Sequence, residues 1–159
     1  MRPQPVFDLV DHHGRAVTMG SFAGARCVVF FGFTHCRVVC PRALDKLTDA
    51  LDKAGDAAKD VQGLYITVDP DRDSAERLAE FLTPHPRFLG LTGTPEQVEA
   101  AREAFGVAVR RREDPDEPDG YALPHSALTY LIGADGEYVH HWLDSATVDD
   151  IAAALSTPS

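Results

Sequence analysis

The sequence is poor in cysteine, in positive charge and in long apolar runs. Its 3 cysteines are too few for a disulfide scaffold, and the odd number leaves one thiol outside any internal pair. Its 15 Lys and Arg stand against 25 Asp and Glu, and the formal net charge of −10 repels phosphate backbones and anionic lipid headgroups. The longest apolar run, Cys27 to Phe33, is far shorter than the roughly 20 residues that span a bilayer. These shortages argue against nucleic acid as a partner and predict no bilayer-spanning segment in this sequence.

What the chain does contain is enough apolar side chain, 44% of 159 residues, for one domain with a sizeable core. We predict a single domain over residues 6–156, preceded by a Pro-containing tether over residues 1–5. An N-terminal hairpin is followed by strands that alternate with helices, then by a second hairpin and a last helix. This order predicts a mixed α/β sheet covered by helices on both faces. The predicted strands lie at 27–33, 61–70, 88–91, 107–109 and, as a pair, within 126–143; the predicted helices lie at 41–55, 73–82, 95–105 and 147–156.

Local signals mark several ends of these elements. Thr94 and Gln97 form a capping box before the third helix, and Gly106 suits its C-terminus. Asp73 or Ser74 is expected to cap the second helix. The acidic, Pro-rich stretch 112–120 is expected to be a solvated loop.

The stretch FGFTHCRVVCP, residues 31–41, carries a cysteine pair at the point where a predicted strand gives way to a helix. Cys36 and Cys40 lie near the helix N-terminus, where unpaired N–H groups and the helix dipole stabilise thiolates. Helical spacing lets both sulfurs face one point. Two thiolates favour Cu(I), and an added imidazole gives a set that also holds Cu(II), whereas structural zinc normally needs four protein ligands. Cys27 opens the apolar run and is expected to be core packing.

The sequence has 7 histidines that compete for a third ligand position. Five of them sit in turns or on strands and are expected to be solvated rather than ligands; these are His12, His13, His85, His140 and His141. His35 directly precedes Cys36 and is a neighbour or a bystander of the pair. His125 lies in a loop immediately before a predicted core strand. From its position alone, it is equally expected to be a metal ligand or an ordinary loop histidine.

Several motifs together resemble one family. The succession FGFTHCxxxCP, VDPDRD, FLGLTGTPEQV, a Tyr shortly before HS, and YLIGADGEYV is similar to the Sco/SenC family over about residues 7–155. Members are thioredoxin-fold proteins linked to copper delivery to cytochrome c oxidase. The resemblance therefore implies a thioredoxin-like sheet, copper as the bound metal, and Cys36, Cys40 and His125 as its ligands.

The resemblance also implies a setting and partners. Such proteins load the copper-A centre of cytochrome c oxidase, reduce its cysteines, or do both. They face the periplasm or the mitochondrial intermembrane space from an N-terminal membrane anchor. The copper-A subunit, another copper chaperone and a thiol reductant are the implied partners. This chain departs from the family pattern at three positions, Arg37, Val38 and Pro124, where the family often has Pro, Asp and Asp. The loop is thus more positive, which favours thiolates and disfavours a bound cation.

The motif VDPDRD offers three carboxylates that could be taken for a hard-cation site. The simpler interpretation is that Asp69 ends a strand, Pro70 shapes the turn and Asp73 caps the following helix. The resemblance implies a further role for Asp69 and Asp73, which would lie near the copper ligands and orient the histidine.

Two functions fit the sequence, and two others fit it less well. The leading one is a copper-binding metallochaperone, and the alternative is a thiol–disulfide oxidoreductase that cycles Cys36 and Cys40. A peroxidase on this fold would need a Pro-x-x-x-Thr-x-x-Cys pattern around the reactive cysteine. Here Thr34 is only two positions before Cys36, and Phe30 stands four positions before Thr34 where the pattern has Pro. A domain with inert cysteines conflicts with their activating position at a helix start.

Overall fold

The structure is a computed structural model that describes residues 6–32, 39–70, 73–107, 112–113, 121–122, 129–143 and 146–156, with the backbone alone at 39–41, 112–113 and 121–122. Within these ranges the chain forms strands β1 (Asp8–Asp11), β2 (Ala16–Thr18), β3 (Cys27–Gly32), β4 (Gln62–Thr67), β5 (Phe88–Thr92), β6 (Arg112–Glu113), β7 (Tyr121–Ala122), β8 (Thr129–Ile132) and β9 (Tyr138–Trp142). Its α-helices are α1 (Val39–Ala54), α2 (Ala75–Phe81), α3 (Pro95–Phe105) and α4 (Val148–Leu155).

The described strands form a seven-stranded sheet in the order β2-β1-β5-β4-β3-β8-β9 and a separate ladder of β6 with β7. The central strands β5, β4 and β3 are parallel, and antiparallel strands extend the sheet on both sides. All six residues of β3 are buried, as expected of a continuous apolar strand covered on both faces. The mixed sheet has the thioredoxin-like arrangement that the sequence predicted.

Each face of the sheet has its own core. On one face, Val98, Ala101 and Phe105 of α3 pack against Val29 and Phe31 of β3. On the other face, α1, α2 and α4 pack against alternate positions of the same strands; this core includes Val28, Phe30, Leu44, Leu47, Leu51, Tyr65, Leu78, Ile151 and Leu155. Because strand neighbours point to opposite faces, a polar residue between apolar ones belongs to a definite side of the sheet.

The helix ends confirm several predicted signals. Thr94 and Gln97 form the capping box of α3, and Gly106 ends that helix at a φ of 75°. This left-handed conformation is strained for other residues, so glycine suits the position. At α2, the Ser74 side chain accepts a hydrogen bond from the Arg77 N–H and is the N-cap. The alternative cap, Asp73, is wrong, because its side chain is buried before the helix starts.

Other boundaries also differ from the prediction. Helix α1 begins at Val39 instead of residue 41, so Cys40 belongs to its first turn. Strand β4 ends at Thr67, two residues before Asp69. The strand predicted at 107–109 is not seen at Val107, and residues 108–109 lie outside the described ranges. The acidic stretch starts with β6, paired to β7, where a loop was expected, and residues 114–120 lie outside the described ranges.

Candidate metal centre

The candidate site lies at the edge of the sheet where the parallel strands end. Gly32, the last residue of β3, pairs with Thr67, the last residue of β4, and the Val68 N–H donates to the Gly32 carbonyl at 2.8 Å. Strand β8 runs the other way and starts at Thr129, opposite Phe30. The chain that enters β8 therefore arrives at the same edge from which the chain leaves β3. This edge is where ligands bind in open sheets of this kind.

The predicted metal ligands flank these strand ends along the chain. Cys36 follows the end of β3 by four positions, and His125 precedes the start of β8 by four positions. Both residues lie outside the described ranges. Cys40 is the second residue of α1, at the N-terminus where backbone N–H groups have no helical partner. The parts of this site that the structure describes are thus its scaffold.

Asp69 and Asp73, the two residues predicted to orient the histidine, are both hydrogen-bonded to a residue that sequence reasoning missed, Thr67. The Thr67 hydroxyl donates a hydrogen bond to Asp73 Oδ2 at 2.8 Å and accepts one from the Asp69 N–H at 2.9 Å. The Asp73 N–H in turn donates to the Asp69 carbonyl at 2.9 Å. Asp73 Oδ1 also lies 3.9 Å from Arg77 Nε. These bonds hold the Asp73 side chain next to the end of β4.

Burial makes these three residues unusual. Thr67 and Asp73 are fully buried at 0% exposure, and Asp69 is 3% exposed. Carboxylates are rarely buried unless hydrogen-bonded or paired with a charge. The sequence signal that could have found Thr67 is its polar side chain at an inward position of the strand LYITV, between Ile66 and Val68.

Two histidines are not solvated, contrary to the prediction. His12 is half-buried, and its Nδ1 accepts a hydrogen bond from the Gly90 N–H of β5 at 2.9 Å. His85 is 8% exposed, with Nδ1 3.0 Å from the Thr48 hydroxyl and Nε2 3.5 Å from Asp45. Both rings fasten a loop or hairpin to a neighbouring element, which sequence position alone does not reveal.

The remaining residues behave as expected. His13, His140 and His141 are exposed. Cys27 is fully buried in the core, and burial raises the pKa of its thiol to about 12. Among the residues that the structure describes, no three His, Cys, Asp or Glu side chains cluster closely enough to hold a metal ion.

Comparison with known proteins gives one consistent result. A family model described as SCO1/SenC matches residues 2–158. The human mitochondrial protein SCO2 homolog is 37% identical over 152 residues, which cover 94% of this chain and 57% of the human protein. Arabidopsis thaliana ScoI, solved with copper bound, has a TM-score of 0.90 at 31% identity over 95% of this chain and 94% of that chain.

A disulfide switch is described for a third similar protein. BsSco, described as a member of the Sco family of cytochrome c oxidase assembly proteins with a disulfide switch, has a TM-score of 0.76 at 25% identity, covering 97% of this chain and 91% of its own. The family match extends over nearly the whole chain and agrees with the order of the cysteine, VDPDRD and histidine motifs. This chain belongs to the SCO1/SenC family.

Proposed function

We propose that this protein binds one copper ion through the thiolates of Cys36 and Cys40 and the imidazole of His125, and that it delivers copper to, or helps assemble, the copper-A centre of cytochrome c oxidase. The observation that carries the proposal is the antiparallel pairing of β3 with β8, in which the end of β3, four positions before Cys36, lies near the start of β8, four positions after His125. Copper bound to Arabidopsis ScoI, a protein of closely similar fold, supports the choice of metal.

The chemistry of this ligand set follows from its scaffold. The N-terminus of α1 stabilises thiolates, because the first N–H groups of a helix have no helical partner and the dipole is positive there. Two thiolates and one imidazole suit Cu(I) and also accommodate Cu(II). A site with three protein ligands leaves a position from which a partner's ligand can approach, and copper passes to the partner by ligand exchange. The copper ion is the cargo of this reaction.

The partners and the setting form part of the same proposal. The acceptor is the copper-A subunit of the oxidase, and another copper chaperone or a thiol reductant prepares the protein for each cycle. The human relative, which is described as mitochondrial, supports an extracytoplasmic or mitochondrial setting. The proposed location is the periplasmic side of the inner membrane or the mitochondrial intermembrane space, where an N-terminal anchor holds the native protein, as the resemblance implies. No helix within the described ranges is long and apolar enough to cross a membrane.

A second function, thiol–disulfide oxidoreduction, is favoured by the disulfide switch described for BsSco. In that reaction Cys36 and Cys40 lose two protons and two electrons and form a disulfide, while a disulfide in the partner is reduced to two thiols. The extra positive charge of Arg37, which stabilises thiolates, fits this function as well. Both functions use the same cysteines, so a variant of His125, which only copper binding requires, distinguishes one function from the other.

The test is an anaerobic copper titration of the reduced protein, with Cys36→Ser and His125→Ala as variants and with Cys27→Ala and His141→Ala as matched controls. We expect one tightly bound equivalent that is lost in Cys36→Ser, weakened in His125→Ala and unchanged in both controls. Disulfide exchange with a small dithiol should survive in His125→Ala. Copper binding that is indifferent to both Cys36 and His125 would refute the proposed site and leave the redox function as the stronger candidate.

A further inference from the structure

The hydroxyl of Thr67 connects two carboxylate-bearing residues at the end of β4. It donates to Asp73 Oδ2 at 2.8 Å and accepts from the Asp69 N–H at 2.9 Å, so both of its hydrogen-bonding functions are used. The Thr67 side chain is 0% exposed. Bulk solvent does not reach this hydroxyl. The bond it donates and the bond it accepts together restrain the Thr67 side-chain rotamer.

The position of Thr67 in the sheet ties this hydroxyl to the candidate metal centre. Tyr65 belongs to the core beneath α1, α2 and α4, and strand alternation places Thr67 on that same face. Thr67 also pairs with Gly32, the last residue of β3 before the cysteine segment. The face that Thr67 occupies is therefore the face on which α1, the helix that carries Cys40 in its first turn, packs.

The hydrogen bond from Thr67 restrains where the Asp73 carboxylate points. A carboxylate rotates about its last bond unless donors hold its oxygens, since this torsion is broad and has no sharp staggered wells. Here the Thr67 hydroxyl holds Oδ2, and the Arg77 guanidinium lies on the side of Oδ1. Arg77 is a surface residue with 46% of its side chain exposed, whereas Thr67 is completely buried. The buried hydroxyl is the more rigid of these two restraints.

We propose that Thr67 is a positioning residue of the metal centre: its hydroxyl sets the orientation of the Asp73 carboxylate and holds the Asp69 turn against the end of β3. This role rests on the proposed copper function and goes beyond its three ligands. Partners outside the ligand sphere orient metal ligands, and their loss typically lowers metal affinity about 10- to 100-fold. Thr67 acts one step further out, through Asp69 and Asp73.

The test compares three substitutions by anaerobic copper titration. Thr67→Val is nearly isosteric but removes both hydrogen bonds, and we expect it to lower copper affinity at least about 10-fold. Thr67→Ser keeps the hydroxyl and should restore most of that affinity. Thr92→Val is the matched control, because the Thr92 hydroxyl bonds the Asp73 backbone carbonyl at 3.4 Å and not its carboxylate. This control should bind copper as the unmodified protein does.

A second readout separates positioning from a general loss of stability. The sulfur-to-copper charge-transfer absorption of the Cu(II) form should shift in Thr67→Val and return in Thr67→Ser. In an Asp73→Ala background, Thr67→Val should cause a smaller loss of copper affinity than it does in the unmodified protein, because part of its effect passes through Asp73. If the valine variant has no cooperative thermal transition, Thr67→Ala removes the same hydroxyl and carries the same expectation.

The outcomes are distinct. Unchanged affinity and spectrum in the hydroxyl-deleted variant, or an equal loss in Thr92→Val, would overturn the role of Thr67 while leaving the copper function intact. Fully additive losses in the double variant would also overturn it, since they would mean that Thr67 does not act through Asp73. Absence of Cys36-dependent copper binding in the unmodified protein would overturn both the proposed function and this role.

Discussion

The imidazole of His12 holds the N-terminal hairpin onto the sheet through one hydrogen bond that requires a neutral ring. Strand β1 pairs with β5 only at Val10↔Thr92 and Asp11↔Leu91, and His12 Nδ1 then accepts the next β5 N–H, that of Gly90, at 2.9 Å. His12→Ala would leave this buried donor unpaired, which costs about 1–3 kcal/mol. For a chain of this size that corresponds to a melting temperature lower by roughly 2 to 12 °C.

The same bond makes stability depend on pH in a definite direction. Burial, and then the charge of the neighbouring His13, hold the pKa of His12 below its ordinary 6.5. Asp11 opposes this shift and Arg15 reinforces it. Because the unfolded chain then binds more protons, the contribution of His12 is complete above about pH 6.5 and is lost as the pH falls below it towards the folded-state pKa.

Two variants make this prediction sharp. His12→Asn offers an amide oxygen near the position of Nδ1 but does not titrate, so it should keep much of the stability and lose the part of the pH dependence that His12 contributes below about pH 6.5. His13→Ala removes an exposed ring and should lie within about 0.5 kcal/mol of the unmodified protein. The side chains nearest Gly90 besides His12 are Leu78 of α2 and Leu82, the C-cap of that helix, and neither of them titrates. The assay is chemical denaturation at a series of pH values, and equal stability of the His12→Ala and His13→Ala variants at pH 7.5 would refute the reasoning.

Two further predictions concern the core. Native protein treated with a thiol-alkylating reagent near pH 8 should remain unmodified at Cys27, since its pKa is raised to about 12 by burial, and mass spectrometry should detect its modification only after denaturation; rapid native labelling at Cys27 would contradict its buried placement. Gly63→Ala should destabilise the protein by about 1–3 kcal/mol in a thermal melt, because a Cβ there would lie 2.8 Å from the Phe88 ring and 3.0 Å from the Arg87 carbonyl. Gly20→Ala, whose Cβ would meet only the Thr18 hydroxyl at 3.4 Å, is the control and should be nearly neutral.

Most strands and helices of this protein could be predicted from its sequence, because local sequence signals agree with the tertiary arrangement. The run at Cys27–Gly32 is apolar throughout and forms the fully buried central strand. The capping box of Thr94 and Gln97 starts α3, and Gly106 ends it. At α2 two cap candidates stand side by side, and only the fold decides between them: the Ser74 hydroxyl accepts from the Arg77 N–H, whereas the Asp73 carboxylate accepts from the Thr67 hydroxyl.

Only part of the candidate site could be predicted from the sequence. Residue types and motif order pointed to the cysteine pair, His125 and the two carboxylates, but spacing along the chain does not say which hydroxyl holds a carboxylate. Thr67 reads as one more β-branched residue in a strand, and its role emerges once Asp73 folds back onto it. In the same way His12 and His85 are ordinary polar residues of turns until β5 and α1 supply their partners.

The sequence by itself determined the fold class, the elements of the sheet and the family, because hydrophobic period, caps and motif order are properties of short, contiguous stretches. Only the tertiary structure decided which polar groups are buried, which donor each of them meets, and which strand ends share an edge. Those contacts join residues that lie far apart along the chain. Their free energies depend on interatomic distance and on the exclusion of water, and a local sequence pattern determines neither of these.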